Sequence, residues 1–447
     1  MKFRLDWKQL LSEKRHTVET QEANSGKKLS LESQISRTAF ERDYDRVIFS
    51  TPFRRLARKT QVHPFAEMDQ IHNRLTHTLE VASVGRSLAS AIGRIIVKRR
   101  ELPPERSTED VICIVQAACL AHDIGNPPFG HAGEYAIREW TKEHATELFG
   151  NEMTSNLHGV ARDWLFFEGN AQSFRMVARA DNRDQLYFRL TYASLGAMIK
   201  YPWHSKDKRV DKEKKLNVFS SEEAIFNEVV DTLGLRSPGG DVVRHPLSFL
   251  SEAADDICYR IGDFEDAVQM RILSEKEVRD IFSKIIGEDT QRPLSAMRAQ
   301  AISCLTDAAI KTFEKHYDAM MLGERDWSQD LKSDFSSEMQ SGLKDIKERY
   351  PYIFSHRPKV AVELGAYNVL GKILGVYAKV VRKLSDHHDY DQLSFIQRRC
   401  VDLAWGDAYA RANQGKDYDW WLGRVMDFVA GMTDNYATQV SSEIEGV

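Results

Sequence analysis

Apolar positions recur along most of this chain at spacings of three and four residues, the period of a helix with a buried face. The segment 74–97 is the strongest case. Leu75, Leu79 and Ala82 form one stripe, and Val84, Leu88, Ile92 and Ile95 form another, so the pattern predicts a helix buried on more than one side. Residues 109–123 form a second predicted helix through Val111, Ile114, Val115 and Ala118, stopped by Gly125 and Pro127-Pro128. Residues 132–149 are a third. Pro246 stands where a first helical residue belongs, and 247–270 follows as a fourth. The same period continues over 278–286, 295–321, 336–350, 360–384 and 420–437. Strand-like sequence is confined to short runs such as Gln61-Val62-His63. The mixed-charge run 206–215 and the stretch 235–241, with Ser237-Pro238-Gly239-Gly240, read as loops.

Composition agrees with a globular chain. Of 447 residues, 42% are hydrophobic and 29% charged, too apolar for a disordered chain, and 25 Gly with 12 Pro exclude a collagen-like or low-complexity scaffold. The length alone suggests about three domains. No internal repeat and no linker rich in Gly, Pro or Ser divides it, so one large helical unit is the better expectation. Lys and Arg number 62 against 66 Asp and Glu, a net charge of -4. A bound anion must therefore be held by a local patch. Cys113, Cys119, Cys258, Cys304 and Cys400 form no C-x-x-C pair, which argues against a disulfide framework or a cysteine zinc site. They read as small buried hydrophobes in a reducing compartment. The longest strongly apolar stretch, 111–121, is far short of the roughly 20 residues of a membrane span. Residues 1–16 lack the apolar core of a secretion signal. The expectation is a soluble cytoplasmic protein.

The chemistry concentrates in the run from Ala121 to Glu134. His122 and Asp123 adjoin at the end of an apolar helix, where the helix dipole disfavours a further anion. A positive partner should offset Asp123, and a metal ion would. After the Gly/Pro turn, His131 and Glu134 share one face of the next helix. A capped helix end with a surface Asp and a hydrogen-bonded His would also account for the run. His77 lies on the first predicted helix, where a lone His is ordinarily a satisfied core residue. His72 is not at a same-face helical spacing from it, and no H-E-x-x-H occurs. The segment from Glu252 to Asp266 is a helix dense in carboxylates. Asp255, Tyr259, Gly262, Asp263 and Asp266 share a face, with Asp256 about a quarter-turn away from Asp255. Buried carboxylates need a partner or a cation. Two imidazoles with two carboxylates suit Mn, Fe, Co, Ni or Mg better than a structural zinc cage, and such an ion can polarise a phosphoryl oxygen. No P-loop, dinucleotide fingerprint or G-x-S-x-G elbow occurs. Phosphate binding would rely on side-chain cations such as Arg54, Arg55, Arg58, Lys59, Arg74 and Lys200.

Taken in order, His77, His122-Asp123 and Asp255 resemble the H…HD…D signature of the HD-domain phosphohydrolases. The flanking motifs are similar to those of the dGTP triphosphohydrolase family. They are Phe53-Arg54-Arg55-Leu56 with Lys59-Thr60-Gln61-Val62, Arg74-Leu75-Thr76-His77-Thr78, the run His122 to Glu134, Phe167 to Arg175, Lys200-Tyr201-Pro202-Trp203 and Glu252 to Tyr259. Glu363-Leu364-Gly365-Ala366-Tyr367 anchors the weaker C-terminal likeness. The resemblance implies an all-α HD fold with a C-terminal helical extension. In this division 1–35 is an N-terminal segment, 36–275 the HD core, and 276–447 a region completing the nucleotide site and making oligomer contacts. It implies that His77, His122, Asp123 and Asp255 hold a divalent metal ion (Mn, Mg, Co, Fe or Ni). His131 and Glu134 would be the catalytic pair. Gln61, Arg74 and Lys200 would contact phosphates or sugar, and Tyr259, Asp263 and Tyr367 would lie near the deoxyribose. Asn126 is a departure, because many relatives carry His there. The implied reaction splits a deoxynucleoside triphosphate, dGTP first, into deoxynucleoside and tripolyphosphate. Other HD nucleotidases or phosphodiesterases, or a non-catalytic nucleotide or single-stranded DNA sensor, are the competing readings. The family also implies a homo-oligomer, hexameric in many members, and in some a single-stranded DNA or nucleotide activator.

Overall fold

A computed structural model describes residues 3–16, 37–61, 71–150, 159–179, 188–288 and 292–446. Within them the chain is helical, with only isolated β-bridges, as an all-α HD fold requires. Val62 and His63 of the strand-like run lie outside the described residues, while Thr60 makes one antiparallel bridge to Asn73. The helices used below are α1 (Ala39–Ile48), α2 (Arg74–Lys98), α3 (Thr108–Ala121), α4 (His131–Glu143), α5 (Gly169–Ala178), α6 (Ser248–Gln269) and α7 (Glu275–Ile286). They continue with α8 (Leu294–Met321), α9 (Ser337–Phe354), α10 (Arg357–His387), α11 (Tyr418–Ala430) and α12 (Asp434–Glu445).

Local sequence explains the starts. Asn73 with Thr76, Ser107 with Asp110 and Ser274 with Glu277 close reciprocal capping boxes on α2, α3 and α7. α3 is buried along nearly its whole length and packs against α1, α2 and α6. Leu88 and Ile92 of α2 are fully buried as their spacing predicts, but Leu79 is 46% exposed. Its stripe neighbours stay with the core, Ala82 buried in it and Leu75 packed against it.

Two apolar cores hold the described residues. The first joins α1, α2, α3 and α6 to α7, α8 and α9. The second joins α4 to α10, α11 and α12, through Trp140, Leu370, Tyr377 and Trp421. The cores do not divide at residue 275: α7 to α9 belong with the HD helices, whereas α4 belongs with the C-terminal ones.

Three expectations change. The predicted helix 420–437 is two helices, because Gly431 and Met432 break it and the Thr433 side chain caps α12 by accepting the Tyr436 N–H. The run 206–215 contains a short helix, Arg209–Glu213. Among the described residues α10, rather than 111–121, is the helix long and apolar enough by length and composition to cross a bilayer. One side of α10 is buried in the second core through Leu370, Ile373, Leu374 and Tyr377. All five cysteines are free; Cys304 and Cys400 are only partly buried.

Candidate functional site

The first turn of α2, the C-terminal end of α3 and the middle of α6 meet between the two cores. His77 Nε2 lies 3.0 Å from Asp255 Oδ1, and His122 Nε2 lies 3.5 Å from the same oxygen. The ligating atoms of His77, His122 and Asp255 all fall within 4.8 Å of one another. His122 Nδ1 donates to the Cys119 carbonyl at 2.6 Å, which fixes the tautomer and leaves Nε2 free to act as a ligand. Asp123 stands beside them, with Oδ1 3.5 Å from His122 Nε2. Its Oδ2 accepts from Arg74 at 2.7 Å, and Asn126 donates to Oδ1.

The electrostatics call for a cation. Burial would lower the His122 imidazole, but Asp123 and Asp255 raise it to about 9. Burial would raise the Asp255 carboxyl, yet His122 and His77 hold it well below the usual carboxylate range. Asp123 is likewise lowered, burial being outweighed by Arg74 and the two imidazoles. A proton on His122 thus stands in for positive charge that a metal ion would supply. The borderline nitrogen and hard oxygen donors suit the divalent ions named above.

A cavity of about 290 Å³ opens beside this cluster, close to the lower bound of roughly 300 Å³ for small-molecule sites. His131, the first residue of α4, borders it with its side chain 69% exposed. Its Nδ1 lies 2.9 Å from Glu134 Oε2, and Glu134 Oε1 accepts the Gly169 N–H at 2.7 Å. Burial would raise the Glu134 carboxyl, but the bond to His131 and the charges of Lys215 and Arg138 hold it low. A buried carboxylate on Nδ1 turns the imidazole's other nitrogen away from Glu134.

Gln61, Arg74, Lys200 and Tyr259 line the same cavity. Lys200 Nζ sits 3.1 Å from Glu252. Other expected residues are elsewhere. Arg54 and Arg58 are exposed, Arg55 donates to the Gly431 carbonyl, and Lys59 is buried on two carbonyls, so these four cations do not converge on the cavity. Asp263 is buried one turn behind Tyr259, where burial and Asp266 raise its carboxyl well above the usual range. Tyr367 does not line the cavity; its hydroxyl donates to Glu143, and Lys359, Val362 and Glu363 of α10 face the cavity instead.

The HD domain family matches residues 74–183. A protein of Pseudomonas aeruginosa named deoxyguanosinetriphosphate triphosphohydrolase-like is 38% identical, across 99% of this chain and 99% of its own. A protein of the same name from Synechocystis sp. is 34% identical, across 99% of this chain and 100% of its own. A deoxyguanosinetriphosphate triphosphohydrolase of Enterobacter sp. is 28% identical, across 89% and 92%. The chain belongs to the deoxyguanosinetriphosphate triphosphohydrolase-like family of HD proteins.

In this member of the triphosphohydrolase-like family, Asn126 orients Asp123 by donating to its Oδ1. Several cavity residues escaped the sequence reading. Lys215 is held by Glu168 at 2.9 Å through both carboxylate oxygens. Tyr259 stacks on Tyr350 at 5.7 Å, and Tyr350 on Phe354 at 5.1 Å, which builds an aromatic wall from α6 and α9. Lys215 was hidden in a charge run, and the aromatics of α9 on an ordinary apolar stripe. A second acidic group, Glu252, Asp256 and Asp330, lies alongside. It is already paired with Lys200, Arg244, Arg260 and Lys332.

Proposed function

We propose that this chain is a divalent-metal-dependent hydrolase of deoxynucleoside triphosphates, dGTP first among them, releasing the deoxynucleoside and inorganic tripolyphosphate. One observation carries the reading: a single cavity joins the His77/His122/Asp255 donor group to the His131–Glu134 pair and to the cations Arg74, Lys200 and Lys215. The site would hold its ion through His77, His122, Asp123 and Asp255, and that ion would supply Lewis-acid charge at the phosphate. Arg74, Lys200 and Lys215 are the cations placed to take phosphate oxygens, and Tyr259 offers a flat face to the sugar. Glu134 holds His131 with one nitrogen occupied, so the other is free to move a proton. In the proposed step water oxygen bonds to the α-phosphorus and the bond from phosphorus to the 5′ oxygen breaks. The leaving oxygen takes a proton from His131, and the proton lost by water restores it. The family likeness extends the proposal to a homo-oligomer and to activation by a nucleotide or single-stranded DNA.

Product analysis tests this reading. Each of the four dNTPs is incubated with Mn²⁺ or Mg²⁺, with and without the other dNTPs and single-stranded DNA. Deoxynucleoside and tripolyphosphate are the expected products. Monophosphate with pyrophosphate would move the chain to another HD chemistry, and no cleavage under any condition would overturn the enzyme reading.

A further inference from the structure

The turn 123–130 carries Asp123 at its start and delivers His131 just past its end, so its shape sets one half of the site against the other. Inside the turn the Asn126 N–H donates to the Asp123 carbonyl and the Gly130 N–H to the Pro127 carbonyl, both at 3.2 Å, and the Asn126 side chain donates to Asp123 Oδ1. Pro127 and Pro128 remove two backbone donors. Phe129 adopts φ +64, a left-handed conformation unfavourable for a residue with a side chain, and Gly130 follows at φ +60. A Cβ on Gly130 would meet the Arg74 guanidinium at 2.6 Å, so the turn is pressed against that side chain. Conformations of this kind persist only where the surroundings over-determine them.

The surroundings here are Ser173 of α5, whose hydroxyl accepts the Gly125 N–H at 2.9 Å and donates to the His122 carbonyl at 2.7 Å, and two buried side chains of charged type from opposite ends of the sequence. Asp434 Oδ1 accepts the Phe129 N–H at 2.9 Å, and its Oδ2 accepts the Thr60 N–H at 3.0 Å together with the Thr60 hydroxyl. Lys59 Nζ donates to the Asn126 carbonyl and to the Ala430 carbonyl, both at 2.6 Å. Lys59 is 2% exposed and Asp434 4%. Neither borders the cavity, whereas Thr60, Asn126, Phe129 and His131 all do. The break between α11 and α12 makes this possible: it puts Asp434 at the first position of α12, where the helix dipole favours a carboxylate, and turns the Ala430 carbonyl towards Lys59. The Arg74 N–H donates to the Lys59 carbonyl at 3.2 Å, so the same short segment also anchors the start of α2.

We propose that Asp434 and Lys59 are positioning residues, which clamp the turn 123–130 and so set His131 against the metal-ligand side of the cavity. The proposal rests on the reading of His131 as the proton-transfer residue. It is tested with Asp434→Asn, which keeps the side-chain volume but sets an amide donor against a backbone N–H, and with Thr60→Val, which removes only the hydroxyl bond. Asp434→Asn is expected to lower kcat for dNTP hydrolysis by about 10- to 100-fold, the scale of a small misplacement of a reacting group. KM and Mn²⁺ affinity should stay within about threefold, because Asp123 keeps its own bonds to Arg74 and Asn126 and His77 its bond to Asp255. Hydrogen exchange in the peptide 124–133 should quicken about tenfold or more, with α2 and α3 unchanged. Thr60→Val should move both readouts the same way by less, and it decides the matter should the first variant fail to fold. Wild-type kcat and wild-type exchange in the turn would overturn the proposal, as would a loss spread over KM, Mn²⁺ affinity and exchange throughout the fold. If the unaltered protein cleaves no dNTP, the functional reading fails by itself. Exchange in the turn then still decides the clamp, faster exchange confined to 124–133 supporting it and unchanged exchange overturning it.

Discussion

Asp255 and its neighbours Glu252 and Asp256 sit on one stretch of α6, yet they end in opposite situations. Each side of the helix gathers three side chains of metal-ligand type: His77, His122 and Asp255 on one, Glu252, Asp256 and Asp330 on the other. On the second side the chain supplies its own cations. Arg244 is 2.7 Å and Lys200 3.1 Å from Glu252, Arg260 is 3.7 Å from Asp256, and Lys332 bridges Asp256 and Asp330. On the first side the partners of Asp255 are imidazoles, which can lose a proton and offer a lone pair, whereas ammonium and guanidinium groups offer none. A cluster of carboxylates therefore points to a metal only where permanent cations have not already answered the charge. The same test explains Asp123, which spends one oxygen on Arg74 and turns the other towards His122.

The largest expected effect comes from removing the residue that distinguishes the two sides. Asp255→Asn should weaken Mn²⁺ binding by more than the roughly 10- to 100-fold that loss of an outer-shell partner costs, and should abolish measurable hydrolysis; calorimetric titration and product assays read both. Next, His131→Ala should lower kcat by about 10² to 10⁴ while Mn²⁺ affinity stays unchanged, which separates proton transfer from ion binding. The ion-paired side should instead show itself in stability. Burial would raise the Glu252 carboxyl, but Arg244 and Lys200 lower it to about 2. A carboxylate lowered on folding stabilises the fold above its unfolded value, and that stability is lost as pH falls through the folded one. Glu252 should therefore contribute roughly 3 kcal/mol at neutral pH that disappears between about pH 4.5 and 2. Urea unfolding of wild type and Glu252→Gln should differ in pH dependence across that window and nowhere above it. Smallest of all, Asp256→Asn should leave Mn²⁺ affinity within about threefold and cost about 1 kcal/mol in the same unfolding experiment.

Much of this was readable from residues alone, for reasons that differ by region. The helices followed from apolar period and from breakers such as Gly125 and Pro127-Pro128, because both are local; the caps Asn73, Ser107 and Ser274, equally local, went unread. The His122 to Glu134 run was visible because a carboxylate at a helix end and a Gly/Pro turn are locally odd. Helical spacing also set Asp255 apart from Asp256, and the two have different partners in the fold. What was missed depends on pairings distant in sequence. The break at Gly431 was overridden by an apolar period that continues through Ala437, although Thr433 ahead of Asp434 is a cap signal. Lys59 looked like one more phosphate-binding cation. Its burial depends on the Ala430 carbonyl, 371 positions further along the chain. Tyr367 was carried by resemblance, and α10 presents Glu363 to the cavity in its place.

Mn²⁺ titration of wild type, Asp255→Asn and Asp256→Asn tests the central claim most directly, with each variant first shown to be folded. The account predicts that wild type and Asp256→Asn bind with the same stoichiometry and similar affinity, and that Asp255→Asn does not bind. Binding retained by Asp255→Asn and lost by Asp256→Asn would contradict it, because the ion would then belong to the side of α6 that the chain's own cations already fill.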